Sequence, residues 1–263
     1  MSPPDPPALA LRGLTKVFAG TPAVDRLDLD VPGGSFFGLV GPNGAGKTTT
    51  LSMATGLLRP DAGTAYVDGY DVWSGTKPGG PVEAKRRVGI LPDGQRLFDR
   101  LSAPELLEYT GLFRGMPRDV VASRSAELLD VLDLASAGNK LVVDFSAGMR
   151  KKIGLAAALL HSPRLLVLDE PFEAVDPVSS ATIREILQHY AGAGGTVIFS
   201  SHVMELVERL CDHVAVIAAG RVLASGPIES VRDGRSLEEV FVGLVGGGRS
   251  TGEGLSWLGT SSG

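Results

Sequence analysis

Short hydrophobic runs recur along the chain and predict the strands of a sheet. Residues 27–31 read Leu-Asp-Leu-Asp-Val, the period-two alternation of a strand with one face in water. Three further runs are almost continuously apolar, and they cover residues 36–40, 165–168 and 196–199. Strands covered on both faces have this composition, so these runs predict a central parallel sheet. Residues 214–224 contain two apolar runs around Ala-Gly-Arg and predict a closing hairpin.

Helical patterns lie between these predicted strands. Residues 102–105, Ser-Ala-Pro-Glu, form a capping box, which predicts a helix that ends near residue 111 or 113. Apolar positions three and four apart predict a second helix around 121–132, and Asp-Pro at 176–177 starts a third. Ser-Leu-Glu-Glu at 236–239 opens a last short helix. Strands that alternate with helices predict an α/β fold.

The same pattern predicts how the chain is divided. Residues 1–7 are rich in proline and are predicted to be disordered, and residues 246–263 are rich in glycine, serine and threonine and are predicted to be flexible. Residues 8–228 are predicted to form the main domain, with a helical subdomain at about 100–160. A short C-terminal helix is predicted within 229–245.

Composition narrows the classes of function. The chain has 263 residues, 43% of them hydrophobic, which is enough for one sizeable core or two small ones. A net charge of −5 argues against a broad nucleic-acid surface, and we expect no nucleic-acid partner. The longest uninterrupted apolar run, residues 153–160, is far shorter than the about 18 residues that a membrane-spanning helix needs. Residues 1–7 lack a secretion-signal pattern. The lone Cys211 is predicted to be a small core residue and fits a reducing compartment.

The strongest chemical motif follows the predicted strand 36–40. Residues 41–48, Gly-Pro-Asn-Gly-Ala-Gly-Lys-Thr, match the phosphate-binding pattern G-x-x-x-x-G-K-[ST]. Its glycines let backbone amides converge on phosphate, and the positive end of the following helix adds to the attraction. Lys47 is predicted to bridge the β- and γ-phosphates of ATP, and the Thr48 hydroxyl to hold Mg²⁺. The predicted nucleotide-binding residues of this loop are Gly41, Pro42, Asn43, Gly44, Ala45, Gly46, Lys47, Thr48 and Thr49. An accidental Gly-rich turn would lack the strand before it and the helix after it.

Two carboxylates end the predicted strand 165–168. Asp169 is predicted to reach Mg²⁺ through water, and Glu170 to orient and deprotonate the attacking water. The alternative is that both simply face solvent at a strand end. His202 follows the run 196–199 and is expected near the nucleotide as a catalytic group, although a structural cap is the alternative.

A further motif, Phe-Ser-Ala-Gly-Met at 145–149, is followed by Arg-Lys-Lys-Ile and an Ala/Leu-rich segment. With the phosphate loop and the Asp-Glu pair, it resembles the signature motif of the nucleotide-binding domain of ABC transporters, over about residues 8–228. The resemblance implies a P-loop NTPase fold with a central, mostly parallel sheet, an N-terminal antiparallel β subdomain and a helical subdomain that carries the signature.

Several site residues carry over from this resemblance. Two such domains would pair head to tail, so that Ser146 and Gly148 of one close over the γ-phosphate held by the other; an ordinary helix cap is the alternative. Phe18 would stack on adenine, or be a core residue near a turn. Asp176 would face the partner domain, or cap the next helix, or both. His202 would contact the γ-phosphate.

The chain departs from the family pattern at two positions. Asp93 stands near the position where the family has a glutamine that touches Mg²⁺. Either Asp93 ligates Mg²⁺ or Gln95 substitutes from two positions later. Ala147 replaces a common glycine of the signature, which costs little unless that backbone needs a positive φ.

By resemblance, the chain is expected to be the ATP-binding and ATP-hydrolysing subunit of an exporter, with a separate transmembrane permease as partner. It would be cytoplasmic and peripheral on the inner face of the membrane, paired with a second ATP-binding domain as a homodimer or heterodimer. Two alternatives are a soluble ATPase of translation or DNA repair and a non-catalytic ATP-dependent clamp. The first is disfavoured because the chain has neither a second ATPase domain nor zinc-binding cysteines. The second is disfavoured by Lys47, Glu170 and His202.

Overall fold

Ten strands and nine α-helices form the part of the chain that the computed structural model describes, residues 6–75, 79–94 and 97–245. The strands are β1 (Leu9–Phe18), β2 (Thr21–Val31), β3 (Phe36–Val40), β4 (Ala62–Val67), β5 (Tyr70–Asp71), β6 (Val88–Leu91), β7 (Leu165–Leu168), β8 (Thr196–Ser201), β9 (His213–Ala218) and β10 (Arg221–Pro227). The helices are α1 (Lys47–Ala54), α2 (Gly80–Arg86), α3 (Ala103–Phe113), α4 (Arg118–Val131), α5 (Ala147–Leu159), α6 (Pro177–Gly192), α7 (Met204–Leu210), α8 (Ile228–Arg232) and α9 (Leu237–Val245). Two short 3₁₀ turns, Ala135–Ala137 and Val142–Asp144, connect α4 to α5.

The N-terminal sheet is antiparallel, with strand order β2-β1-β4-β5. Leu9 of β1 pairs with Val31 on one side and with Val67 on the other. In β2 the leucines and the valine of the alternating stretch are buried, while Asp28 and Asp30 are exposed. The period-two pattern therefore gave the strand and its inner face correctly.

The second sheet has the order β10-β9-β3-β8-β7-β6 and is parallel except for β10. Every residue of β3, β7 and β8 is buried, which confirms the prediction of a central parallel sheet from continuous apolar runs. The closing hairpin is β9 and β10. Because β3, β8 and β7 are parallel neighbours, the residues that follow each of them lie at the same edge of the sheet.

The six-stranded sheet separates two hydrophobic cores. Alternate strand residues face opposite sides, as the pleat requires. Phe37 and Ile198 pack toward the antiparallel sheet and α1, whereas Phe36 and Phe199 pack toward helices α3 to α7, with their rings in an edge-to-face contact. Cys211 belongs to the helical side, and burial raises the pKa of its thiol, as expected of a core cysteine.

Helices α3, α4 and α5 pack together in the stretch predicted to be helical. The capping box at the start of α3 is formed, with the Ser102 N–H donating to Glu105 Oε2 at 2.8 Å. Within the ranges given above, no helix combines the length and the hydrophobicity needed to cross a membrane. The limits of the main domain and of its helical subdomain remain predictions.

The short C-terminal helix predicted to open at Ser236 is α9, and a further short helix, α8, precedes it. The helical path breaks at Asp233 and Gly234, whose φ angles are +47° and +77°. Helix α9 then opens at the predicted serine, since Ser236 Oγ accepts the Glu239 N–H. The predicted disordered start and flexible end lie outside the described residues, apart from Pro6 and Pro7, which belong to no helix or strand.

His161, just after α5, makes stability depend on pH. Burial, aided by Arg114, lowers the pKa of His161 from 6.5 to about 4, and the neutral ring donates from Nε2 to the Val88 carbonyl at 3.1 Å. Between these two values the unfolded chain binds the proton more readily than the folded one. The contribution of neutral His161 to the free energy of unfolding is therefore complete above about pH 6.5. It declines by up to about 3 kcal/mol as the pH falls toward 4. Urea unfolding between about pH 4 and pH 6.5 should show a free energy of unfolding that rises with pH. His161→Asn should remove the part of this rise that comes from His161. An unchanged pH dependence in the variant would contradict the assignment.

Candidate functional site

The phosphate-binding loop connects β3 to α1 and is packed so closely that two positions require glycine. A Cβ on Gly41 would lie 2.2 Å from the Ile217 carbonyl oxygen. Gly46 has a φ of +102°, and a Cβ there would lie 2.4 Å from the Ala23 carbonyl oxygen. The β9–β10 turn supports the loop, because the Gly220 N–H donates to the Ala45 carbonyl at 2.9 Å. The loop is therefore held by β2 and by the hairpin, which the local motif alone does not reveal.

The start of α1 offers backbone amides to an anion. The first helical hydrogen bond is donated by the Thr50 N–H to the Gly46 carbonyl, at 2.8 Å. Gly46 supplies no side-chain cap, and the first turn of α1 carries no acidic residue. A helix N-terminus without a cap and without a competing carboxylate fits a phosphate group, so the residues present are suited to ATP.

Lys47 places a buried cation beside this loop. Only 6% of the residue is exposed, and Nζ donates to the carbonyls of Gly41 at 2.8 Å and Pro42 at 3.3 Å. Nζ also lies 3.7 Å from Glu170 Oε1. A buried ammonium held by carbonyls and one carboxylate is arranged to meet the negative charge of a phosphate chain.

The two carboxylates at the end of β7 are tied to the neighbouring strand β8. Asp169 is 4% exposed and accepts a hydrogen bond of 2.5 Å from the Ser200 hydroxyl at Oδ1. The Glu170 N–H in turn donates to Ser200 Oγ at 2.9 Å. Neither carboxylate simply faces solvent, so that alternative is wrong. Sequence reasoning missed Ser200; its only signal was a hydroxyl at the end of an otherwise apolar strand.

Glu170 stands between two cationic or potentially cationic groups. Its Oε1 faces Lys47, while its Oε2 lies 3.2 Å from His202 Nδ1. The Glu170 side chain is 13% exposed and that of His202 is 45% exposed, so both are reachable from solvent at the strand edge. The structure thus brings together the three predicted groups Lys47, Glu170 and His202.

The signature residues and Asp176 meet on the helical side. Ser146 caps α5, accepting the Met149 N–H at 3.2 Å, which leaves its own O–H free to donate. Asp176 caps α6 by accepting the Ser179 N–H at 2.9 Å, and that bond lowers the pKa of its carboxyl. A Cβ on Gly148 would lie 2.8 Å from Asp176 Oδ2, so the two helix starts are in close contact. Both capping alternatives are therefore correct, while roles toward a second domain remain predictions.

Phe18 ends β1 and is 49% exposed. It is thus not a core residue, and the alternative that placed it in the core is wrong. Lys16 Nζ lies 5.8 Å from the centre of its ring, which is otherwise accessible for stacking on a base. The adenine contact remains a prediction.

The predicted Mg²⁺ ligands are only partly assembled by the described contacts. Asp93 has a side chain that is 48% exposed and pairs with Lys151 at 3.6 Å, not with Thr48 or Asp169. Gln95 lies outside the described residues. Among the residues that the structure describes, no three or more His, Cys, Asp and Glu side chains form a group that could hold a metal ion. The chemistry of Asp169 and Thr48 suits Mg²⁺, which is usually held by one or two carboxylates together with phosphate oxygens and water, and their roles as its ligands remain predictions.

A phosphate loop between a central strand and a helix, with a carboxylate pair at the end of a parallel strand, defines a P-loop NTPase fold and site. The family model described as ABC transporter matches residues 24–173, more than half of the chain. The chain belongs to the ABC transporter family.

Two curated relatives and one solved structure show how close the similarity is. The chain is 40% identical to the daunorubicin/doxorubicin resistance ATP-binding protein DrrA of Streptomyces peucetius over 83% of this chain and 65% of that protein. It is also 40% identical to the Nod factor export ATP-binding protein I of Cupriavidus metallidurans, over 83% of this chain and 70% of that protein. It thus spans slightly less than two thirds of the first relative. A solved ATP-binding subunit of an ABC transporter superposes with a TM-score of 0.81 at 28% identity, covering 90% of this chain and 99% of that one.

Proposed function

We propose that this chain is the ATP-binding and ATP-hydrolysing subunit of an ABC transporter and that it energises export through a separate transmembrane subunit. The observation that carries the catalytic part is the position of the Glu170 carboxylate, with Lys47 on one oxygen and His202 on the other. Relatives that are named for drug resistance and for Nod factor export support the transport part.

The geometry supports a separate role for each of these groups in ATP hydrolysis. Loop amides and Lys47 hold the β- and γ-phosphates, and their positive charge stabilises the charge that spreads over the oxygens during transfer. Glu170 orients a water and accepts its proton as the water oxygen bonds to the γ-phosphorus and the bond to ADP breaks. His202, whose Nδ1 lies 3.2 Å from Glu170 Oε2, would donate to the γ-phosphate.

Mg²⁺, when bound, would neutralise phosphate charge, and Thr48 and Asp169 are the residues that would hold it. Ser200 holds Asp169 Oδ1 by a hydrogen bond of 2.5 Å. That bond keeps the buried carboxylate in a fixed direction, which a metal ligand needs.

The coupling to transport follows from family membership. A second ATP-binding domain would place its Ser146 and Gly148 over the γ-phosphate bound at Lys47, and adenine would stack on Phe18. The permease would hold the pair at the inner face of the membrane. Drugs, polysaccharides and lipids are the cargo classes that the resemblance favours.

Affinity purification from detergent-solubilised membranes tests the transport assignment. The tagged chain should bring down a polytopic membrane protein in about one copy per ATPase, and the tag alone should not. Recovery of ribosomal or DNA-repair proteins with no membrane protein would instead support the soluble ATPase. ATP binding together with a turnover that is equal in the wild type and in Glu170→Gln would support the non-catalytic clamp.

A further inference from the structure

Glu170 has a backbone conformation that L-residues avoid. Its φ is +44°, in the left-handed region, and it is not a glycine. Such a conformation persists where surrounding contacts determine it, and it is common at functional sites. The contacts that hold this backbone therefore decide where the carboxylate points.

Both peptide groups of Glu170 are held by hydrogen bonds. Its N–H donates to Ser200 Oγ at 2.9 Å. Its carbonyl accepts from Lys151 Nζ at 2.8 Å and from the Glu173 N–H at 3.2 Å. Of these three contacts, that of Lys151 is charge-assisted, and such bonds are roughly twice as strong as neutral ones.

Lys151 reaches this carbonyl from another part of the fold. It lies in the second turn of α5, in the helix that begins with the signature, and its side chain is 17% exposed. Within the described residues, the side chain of its neighbour Arg150 donates to the nearby carbonyls of Val143 and Phe145. The two adjacent cations thus differ. Arg150 bonds to the segment just before α5, whereas Lys151 connects α5 to Glu170 at the end of β7.

The Lys151 ammonium group also forms an ion pair with Asp93. Its Oδ1 lies 3.6 Å from Lys151 Nζ, at the end of β6. No described contact of 4.0 Å or less joins Lys151 to the Glu170 carboxylate, whose ion pairs are with Lys47 and His202. Lys151 therefore acts on the backbone of Glu170 and not as a counter-ion of its side chain.

We propose that Lys151 is a positioning residue for ATP hydrolysis: oriented by Asp93, it fixes the Glu170 carbonyl and so aims the catalytic carboxylate. This inference rests on the proposed role of Glu170 as the base. Without the lysine contact the Glu170 backbone is free to relax toward the right-handed or extended region, which swings its Cα–Cβ bond away from the γ-phosphate. Nucleotide binding uses the loop 41–48 and is expected to be spared.

The test is steady-state ATP hydrolysis by the full chain. Lys151→Met keeps the aliphatic stem and should lower kcat by about tenfold, with KM for ATP changed by less than about threefold, because misplacement of a catalytic group affects turnover and not binding. Lys151→Arg should restore kcat to within about threefold of the wild type, since it retains a cationic donor. Arg118→Met, which removes an exposed ion pair with Glu108, is the matched control and should leave kcat unchanged.

A double-mutant cycle separates positioning from a metal role of Asp93. Asp93→Asn should lower kcat when Lys151 is present but should have no further effect in the Lys151→Met background. The reason is that both residues act through the contact of Lys151 with the Glu170 carbonyl. Additive losses, or a kcat for Lys151→Met within about twofold of the wild type while Glu170→Gln is inactive, would overturn the inference. Full activity of Glu170→Gln would instead refute the proposed function. If thermal unfolding shows that Lys151→Met is not folded, Lys151→Gln serves as the second variant with the same expectation.

Discussion

Glutamine at position 170 is expected to lower ATP turnover of the purified chain by about 10²–10⁴-fold while ATP binding is kept. Glutamine has nearly the shape of glutamate and can still meet Lys47 and His202, but it cannot accept the proton of the attacking water. Phosphate release gives the turnover, and fluorescence of a nucleotide analogue gives the affinity. The contact with Lys47 is one of several that hold the nucleotide, so the affinity should change by less than about tenfold.

Glu185→Gln is the matched control for that change. Glu185 is an exposed carboxylate on α6, away from the phosphate loop, and its replacement should leave turnover at the wild-type level. A Glu170→Gln protein that is folded and retains more than about a tenth of wild-type turnover would show that another group removes the proton.

Methionine in place of Lys47 is expected to weaken ATP binding and to reduce turnover by at least about 100-fold. The lysine is 6% exposed and its Nζ is held by the carbonyls of Gly41 and Pro42, so its charge is already in place before the phosphates arrive. Methionine fills the same volume without a charge. Isothermal titration with ATP in the presence of Mg²⁺ measures the loss of affinity.

Lys85→Met provides the comparison for that loss. Lys85 is an exposed lysine on α2, and its replacement removes the same charge from the chain without touching the loop. Equal affinities of Lys47→Met and Lys85→Met for ATP would contradict the assignment of Lys47 as the phosphate ligand. Circular dichroism melts of both variants verify that the fold is intact.

The predictions that succeeded from the sequence rest on periodic or local patterns. The Leu-Asp-Leu-Asp-Val alternation gave β2 with its buried face, because side chains of a strand alternate between two sides. The loop 41–48 lies between strand β3 and helix α1, which is the context that the phosphate-binding pattern predicts. Capping residues located the starts of α3, α6 and α9 within the chain.

Two features were decided only by the structure. The short helix α8 was not predicted, and Asp233 and Gly234, both with a positive φ, separate it from the predicted helix α9. Phe18 is exposed and not in the core, because its strand ends at the rim of the antiparallel sheet.

The sequence by itself determined that this chain has a P-loop, a carboxylate pair and a signature motif, since each is a contiguous run of residues. Only the tertiary structure decided how Glu170 is aimed. Its contacts come from three separate segments of the chain: Lys47 in α1, Lys151 in α5, and Ser200 and His202 at the end of β8. Such a site depends on the order of strands in the sheet and on the packing of α5 against it, and neither is encoded in any one local pattern.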